Sequence, residues 1–393
     1  MKILFVANRV PYPPFRGDKL KIYNLAKRLS VAHEIYLITF AESDEDYNYE
    51  AELKKIFTKI HIIALPKWKS YLHCFFAIFS NLPFQVAYFK SRAMKHRVQN
   101  FCSQNEVNAI HTQHLRMAQF TSELNLPKLL DLPDAFSLYW HRRLMNQHNP
   151  IKRFFEKIEY HRLYHYEGEI IKNYNLNLVC SIEDLNYMNK EHSASFLKLL
   201  RNGVDLETYT TQGHDYSIEN VLLFTGNMDY APNIDAVAYF VKDIFPIILK
   251  DYPEIQFIIA GQRPVKSVIE LKSKNIKVTG FIPELRAIYQ NASIVVSPLR
   301  IGAGTQNKVL EAMAMGIPVV SGPIGYEGLE IENGDGVFLE TTAQGFASKI
   351  VELLGSEYLR KTTGLKGHVI AKEKFSWDTI AHQLELYCQN IGR

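Results

Sequence analysis

Short apolar and β-branched runs alternate with amphipathic stretches along this chain, and near residue 203 the alternation stops and begins again. Strands separated by helices in this way fold as parallel, doubly wound sheets, because each crossover helix covers a face of the sheet it rejoins. The first rhythm predicts strands at 3–7, 34–40, 59–63, 109–112, 128–130 and 176–180. The second predicts strands at 221–225, 256–260, 276–279, 294–297 and 319–321, with helices at 233–249, 267–273, 284–290 and 305–315 between them. Further helices are read at 343–354 and 359–374. The turn-forming Asn202-Gly203-Val204-Asp205 suits a joint between the two halves.

The expected architecture is therefore α/β, with two Rossmann-like parallel-sheet domains facing a central cleft. The domains run over 1–202 and 203–375, and a last helix over 376–393 crosses back to the first. A chain of 393 residues is long enough for two cores. In the first helix Ile22, Leu25, Ala26 and Leu29 recur at i, i+3, i+4 and i+7, which sets one stripe against the sheet. The stretch 152–173 reads as a long, strongly charged, half-exposed helix.

Charge and cysteine content narrow the functional classes. Lys and Arg number 45 against 41 Asp and Glu, a net of +4 that argues against a nucleic-acid partner yet would not repel an anionic membrane. Cys74, Cys102, Cys180 and Cys388 are scattered without paired spacing, which fits a reducing cytoplasm and neither zinc nor a disulfide framework. The opening MKILFVANRV is too short an apolar run for a signal peptide and reads as a first buried strand. Between Tyr71 and Phe89 no Asp, Glu, Lys or Arg occurs, but Asn81, Pro83 and Gln85 interrupt the run. It is read as a buried helix followed by an extended segment, with a membrane-dipping face as the alternative.

In doubly wound sheets ligands sit beyond the carboxyl ends of the strands. After the first strand, Arg16-Gly17-Asp18 opens a helix; Gly17 lets backbone approach an anion there, and Asp18 can equally be a plain cap. The Gly-x-Gly-x-x-Gly dinucleotide fingerprint is absent, which argues against a nicotinamide or flavin enzyme. The strongest segment is SPLRIGAGTQNKVLEAMAMGIPVVSGPIGYEG, a strand, a glycine-containing loop and a helix. Lys308 and Glu311 share one face of that helix, three residues apart, while Val309, Leu310 and Met313 form its buried side. A cation just past a phosphate-sized turn can meet a diphosphate, and the carboxylate can accept from two ribose hydroxyls. Arg300 stands at the mouth of the same loop, and Gly304, Thr305 and Gln306 follow it.

That segment resembles the nucleotide-sugar site of family 4 glycosyltransferases, which share the GT-B fold. RNGVDLETY, LLFTGNMDYAPNIDAVAYF, FIIAGQRP and VTGFIPELRAIYQNASIVVSPLR match the family in order and spacing. GNMDYAPN, GTQNKVLEAMAMG and DLPDAFSLYW are most similar to sugar transferases of bacterial exopolysaccharide systems. The match weakens over 44–101. The resemblance implies that Glu311 is the ribose ligand, the second Glu of the family's Glu-(seven residues)-Glu motif; the first Glu is replaced here by Ala303. It implies that Gly226 and Asn227 line the donor, in a loop that lacks the family's Arg and Lys, so that Arg300 and Lys308 carry the charge compensation. Gly17 would face the donor phosphates, and Asp131 or Asp134 would orient the donor sugar or acceptor hydroxyl where many relatives place a His.

The resemblance further implies a retaining transferase that uses a UDP- or GDP-linked sugar, with no cofactor and no metal. Its acceptor would be a glycan or a lipid-linked saccharide of surface polysaccharide or glycoconjugate synthesis. The setting expected is cytoplasmic, with the inner face of the cytoplasmic membrane as the alternative, peripheral membrane contact and no nucleic acid. Alternatives are a non-catalytic GT-B protein that binds nucleotide or a partner, and a nucleotide-sugar epimerase. His111 and His114, at a strand end, read as structural more readily than as cleft-lining. Ser181-Ile182-Glu183-Asp184 reads as a helix cap that the resemblance brings near the cleft.

Overall fold

A computed structural model describes residues 1–15, 17–147, 149–192, 196–218, 220–302 and 305–391. The chain divides into two compact units, Met1–Asn202 with Trp377–Arg393, and Gly203–Ser376.

The first unit contains β1 (Lys2–Ala7), β2 (Glu34–Ala41), β3 (Lys59–Ala64), β4 (Ala109–Gln113), β5 (Lys128–Leu132), β6 (Leu176–Val179) and β7 (Leu197–Leu199). They lie in the order β3-β2-β1-β4-β5-β6-β7, every neighbouring pair parallel. Ile3 is in register with Ile35 on one side and Ala109 on the other. The Gly17–Leu29 helix buries Ile22, Leu25, Ala26 and Leu29, and these pack with Ile3, Phe5 and Leu37 from the sheet. The Trp377–Ile391 helix adds Trp377, Ile380, Leu384 and Cys388 to the same core. Arg28 Nε donates to Asp378 at 2.7 Å, and Tyr387 Oη donates to the Leu199 carbonyl at 3.0 Å, so the last helix is pinned at two points.

The second unit contains β8 (Val221–Thr225), β9 (Gln256–Ala260), β10 (Ile276–Val278), β11 (Ile294–Ser297), β12 (Val319–Ser321) and β13 (Val337–Leu339). Their order is β10-β9-β8-β11-β12-β13, again all parallel. Leu223 pairs with Ile258 on one side and Val295 on the other. The strand order reverses between β8 and β11, so the loops leaving these two strands diverge and open a crevice at the carboxyl edge.

Three features depart from the sequence reading. β7 and β13 are three-residue strands, too short for an alternation to register. The helix expected over 233–249 is broken: Ala231–Tyr239 is α-helical, Phe240–Ile244 is a π-turn, and Phe245–Asp251 resumes the α-helix. Pro246 lacks an N–H to continue the ladder, which explains a wider turn just before it. The run 71–89 is not a buried helix followed by an extended segment. Lys67–Ala77 is a helix with Trp68 66% exposed and Phe76 60%, and Phe84–Tyr88 is a second, short helix that buries Val86 and Ala87. A lack of charge hid the fact that the longer helix turns its aromatic face outward. Among the described residues no helix is long and apolar enough to cross a membrane.

Candidate functional site

The switch point of the second unit collects polar groups from four segments. Gly226 begins the loop after β8, and its N–H donates to the Ala260 carbonyl at 3.0 Å. A Cβ at Gly261 would lie 1.7 Å from the Gly226 carbonyl oxygen, so the loops after β8 and β9 cross only because residue 261 has no side chain. Gln262 Nε2 then donates to Asn227 Oδ1 at 2.8 Å, and Asn233 Nδ2 donates to the Asn227 carbonyl at 3.0 Å. This fixes the Asn227 side chain and turns the Asn233 carbonyl oxygen toward Lys308.

Lys308 is the second residue of the Asn307–Ala314 helix and only 7% exposed. Its Nζ lies 3.4 Å from Asn233 Oδ1, 3.5 Å from Gln306 Oε1 and 5.1 Å from the centre of the Phe224 ring. Both hydrogen bonds are long, so the ammonium is poorly compensated. Burial pulls its pKa down to about 8, against the opposing pull of the Glu311 charge. It also stands in the first turn of a helix, where N–H groups lack intrahelical acceptors. An anion beside it would relieve both deficits.

Glu311, one turn along, accepts from Tyr289 Oη at 2.8 Å and is also hydrogen-bonded by Tyr209. Tyr289 has one hydroxyl proton, so Thr225 Oγ1, 2.7 Å away, must donate to it rather than accept. Burial pushes the Glu311 carboxyl up, and the Tyr289 hydrogen bond and the Lys308 charge draw it back. The two tyrosines orient the carboxylate and leave it acceptor capacity for a diol.

Arg300 is differently committed. Its Nε and Nη2 fork onto Asp235 at 2.9 and 2.5 Å, and its guanidinium lies 4.6 Å from the Tyr239 ring centre. Thr305 is buried and Gln306 half-buried beside Lys308. Gly304 and Ala303 lie outside the described residues.

The first-unit candidates separate into two kinds. Asp131, at the end of β5, is fully buried, with Lys21 Nζ 2.7 Å from Oδ1 and His111 Nε2 3.2 Å from Oδ2. Burial would raise its pKa, but the Lys21 charge and the His111 hydrogen bond hold it below the usual range. Asp131 is thus held as a buried counter-ion to Lys21, with His111 hydrogen-bonded to its other oxygen. Asp134, in the loop after β5, feels the Lys21 and Arg142 charges too weakly to offset its surroundings. Burial and the nearby Asp184 push its carboxyl up to about 8. Gly17 is the exposed first residue of its helix, and Asp18 faces Arg9 at 3.2 Å. His114 is buried against Phe136, with burial holding its pKa well below the ordinary value. Ser181 Oγ accepts from the Asp184 N–H at 3.1 Å, which is the capping role. Among the described residues no group of three or more His, Cys, Asp or Glu side chains is placed to hold a metal ion.

Asn233, Gln262, Tyr209 and Tyr289 were not singled out from the sequence. Both tyrosines sit in segments that match the family, RNGVDLETY and VTGFIPELRAIYQNASIVVSPLR, but a phenol reaching a carboxylate leaves no periodic mark that would single it out. Gln262 lies two residues past β9 and Asn233 in the first turn of the helix that follows β8, and these strand-end positions are the only local signal.

Residues 219–356 match the family model described as glycosyl transferases group 1. The second unit carries that glycosyltransferase domain, and the two Rossmann-like parallel-sheet units have the GT-B fold. An uncharacterized 44.6 kDa protein in the cps region of Klebsiella pneumoniae is 23% identical over 387 residues, covering 93% of this chain and 92% of the relative. An uncharacterized glycosyltransferase of Methanocaldococcus jannaschii is 25% identical over 386 residues, covering 96% and 95%. The crystal structure of Anabaena HepE in complex with UDP and glucose superposes with a TM-score of 0.69 at 16% identity, over 99% of this chain and all of that one.

Proposed function

We propose that this protein transfers a sugar from a UDP- or GDP-linked donor to a glycan or lipid-linked acceptor, with retention at the anomeric carbon and without a metal ion. The observation that carries the reading is the buried, under-compensated Lys308 at a helix start, one turn from a Glu311 carboxylate oriented by two tyrosines. Lys308 meets the diphosphate and Glu311 takes the ribose hydroxyls, with Gly226, Asn227, Thr305 and Gln306 around them. As the acceptor oxygen bonds to the anomeric carbon, the bond to the diphosphate breaks and negative charge grows on the departing phosphate. The Lys308 ammonium and the helix N–H groups are already in place to stabilise that charge. The acceptor proton passes to the departing phosphate oxygen, so no side-chain base is required. A part for Gly17 and Asp134 in donor contact rests on the family resemblance alone.

A role in surface polysaccharide or glycoconjugate synthesis is supported by the Klebsiella relative, whose name places it in a cps region. HepE, solved with UDP and glucose, supports a UDP-linked donor. Contact with the inner face of the cytoplasmic membrane is supported by the outward-facing Trp68, Tyr71, Phe75 and Phe76, with Lys67 and Lys69 on the same helix. The test is a thermal-shift screen of nucleotides and nucleotide sugars, then transfer assays with and without excess chelator. Donor-dependent sugar transfer that survives chelation is expected; a strict manganese requirement would remove Lys308 from the charge-compensating role. The second reading, a non-catalytic nucleotide binder, is favoured by the engagement of Arg300 with Asp235. It predicts nucleotide binding with no transfer to any acceptor.

A further inference from the structure

A cavity of about 510 Å³ opens at the carboxyl edge of β1, β2 and β3 in the first unit. Its floor holds Asn8, which is 1% exposed, and among the described residues neither the oxygen nor the nitrogen of that carboxamide has a hydrogen-bond partner. A buried amide in that state costs free energy unless something fills the space and bonds to it. Beside it Arg9, also buried, has Nε and Nη1 without hydrogen bonds, although Asp18 lies 3.2 Å from Nη1 and Glu42 3.5 Å from Nη2. Arg116 also lines the cavity, held by Gln85 Oε1 and lying 5.4 Å from the Phe89 ring centre. Lys67, exposed at the start of its helix, stands at the rim. Arg9, Arg116 and Lys67 thus line the cavity together with Glu42, and Arg9 is the one of the three that Asp18 and Glu42 already pair.

The remaining walls are aromatic, formed by Phe40, Phe84, Tyr88 and Phe89. Space far larger than one phosphate, aromatic side chains, three cations and an unpaired amide suit a ring that carries both C–H faces and an acid. We infer that this cavity is a subsite for an acidic saccharide, a sugar bearing a phosphate or a carboxylate. The acid meets Arg9, Arg116 and Lys67, and Asn8 bonds to a ring hydroxyl. Calling it the acceptor subsite rests on the transferase reading; the binding chemistry itself does not.

The experiment measures binding of glucose 6-phosphate, glucuronate, glucose and inorganic phosphate to the full chain by calorimetry, with UDP and GDP as separate ligands. The two acidic sugars should bind at least about tenfold tighter than glucose, the factor expected of one charge-assisted hydrogen bond. Arg9→Gln should abolish that preference, and Lys67→Ala should weaken acidic-sugar binding about threefold, with UDP affinity unchanged in both. Lys67 is exposed, so its variant reports even if Arg9→Gln misfolds. Equal affinity for glucose and its acidic forms, or acidic-sugar binding unmoved by Lys67→Ala and by a folded Arg9→Gln, would overturn the proposal. Inorganic phosphate binding as tightly as glucose 6-phosphate would overturn the saccharide. Vesicles carrying a lipid-linked sugar phosphate that bind through Arg9, where free acidic sugars do not, would support the same chemistry with a membrane headgroup as its source. Failure to bind either UDP or GDP would count against the transferase reading, whereas nucleotide binding without acidic-sugar preference would count against the subsite alone.

Discussion

Arg300 and Asp235 form a two-pronged ion pair, with Nε and Nη2 at 2.9 and 2.5 Å from the two carboxylate oxygens. The Arg300 side chain is half exposed, so the pair is screened by water and its net worth is modest, about 0.2–1 kcal/mol. A donor diphosphate would compete with Asp235 for the same guanidinium. Asp235→Asn should therefore tighten UDP binding by about 1.5- to 5-fold, the free energy of a released surface pair. Calorimetric titration checks this, and unchanged affinity in both Asp235→Asn and Arg300→Ala would take Arg300 out of the donor site.

Lys308 should make donor capture pH-dependent. Its pKa near 8 means that the free protein loses this positive charge as pH rises through 8, and the anion's partner goes with it. kcat/KM, which reports the free enzyme, should fall along an alkaline limb centred near pH 8. Lys308→Arg should move that limb beyond the measurable range, since a guanidinium stays charged. A limb that persists unchanged in the arginine variant belongs to another group.

Glu311→Gln and Lys308→Ala should fail differently. Ribose contacts are alike in ground and transition states, so Glu311→Gln should weaken nucleotide binding about 10- to 150-fold with kcat little changed. Phosphate charge grows as the glycosidic bond breaks, so Lys308→Ala should lower turnover more than donor affinity. Equal losses of affinity, with no transfer by the wild-type protein, would leave a nucleotide binder.

Asp134 should cost stability at neutral pH. Its folded pKa, raised to about 8, lies above the ordinary carboxyl value, so the folded state holds a proton that the unfolded chain gives up. The stability this lends is complete at low pH and is lost as pH rises through 8. Asp134→Asn should stabilise the protein relative to wild type at pH 8.5 by about 1 kcal/mol or more, and far less at pH 4, in urea melts. Equal effects at the two pH values would show that Asp134 is not held protonated.

Vesicle flotation tests the aromatic face of the Lys67–Ala77 helix. Anionic vesicles should retain the protein at low salt and release it as salt rises. Removing both Lys67 and Lys69 should cost about 1 kcal/mol per charge at the surface. Trp68→Ser with Phe75→Ser should reduce retention at every salt concentration. No flotation at low salt would end the membrane-surface reading.

Helix and strand placement was legible wherever a long buried element imposed its period. The stripe of Ile22, Leu25, Ala26 and Leu29 packs as its spacing requires, and the strands from β8 to β12 fall within a residue of expectation. The Lys308–Glu311 face was legible because three-residue spacing on a helix fixes which side chains neighbour each other. Partners brought in by tertiary folding were not. Nothing local says that Lys21 travels to Asp131, or that Asp235 takes the guanidinium expected to stay open. The run 71–89 misled because absence of charge marks buried helices and outward aromatic faces alike.

The helix Trp377–Ile391 completes the core that Ile22 and Leu25 begin. On the ribosome, then, the unit translated first is the last to be finished. The Gly203–Ser376 unit is contiguous and can close while synthesis continues, whereas the first must wait, with Ile3, Phe5 and the Gly17–Leu29 stripe incompletely covered, until the final helix emerges. A chain released at Ser376 would keep the cooperative melt of the later unit and present the earlier one to chaperones and proteases as an open face.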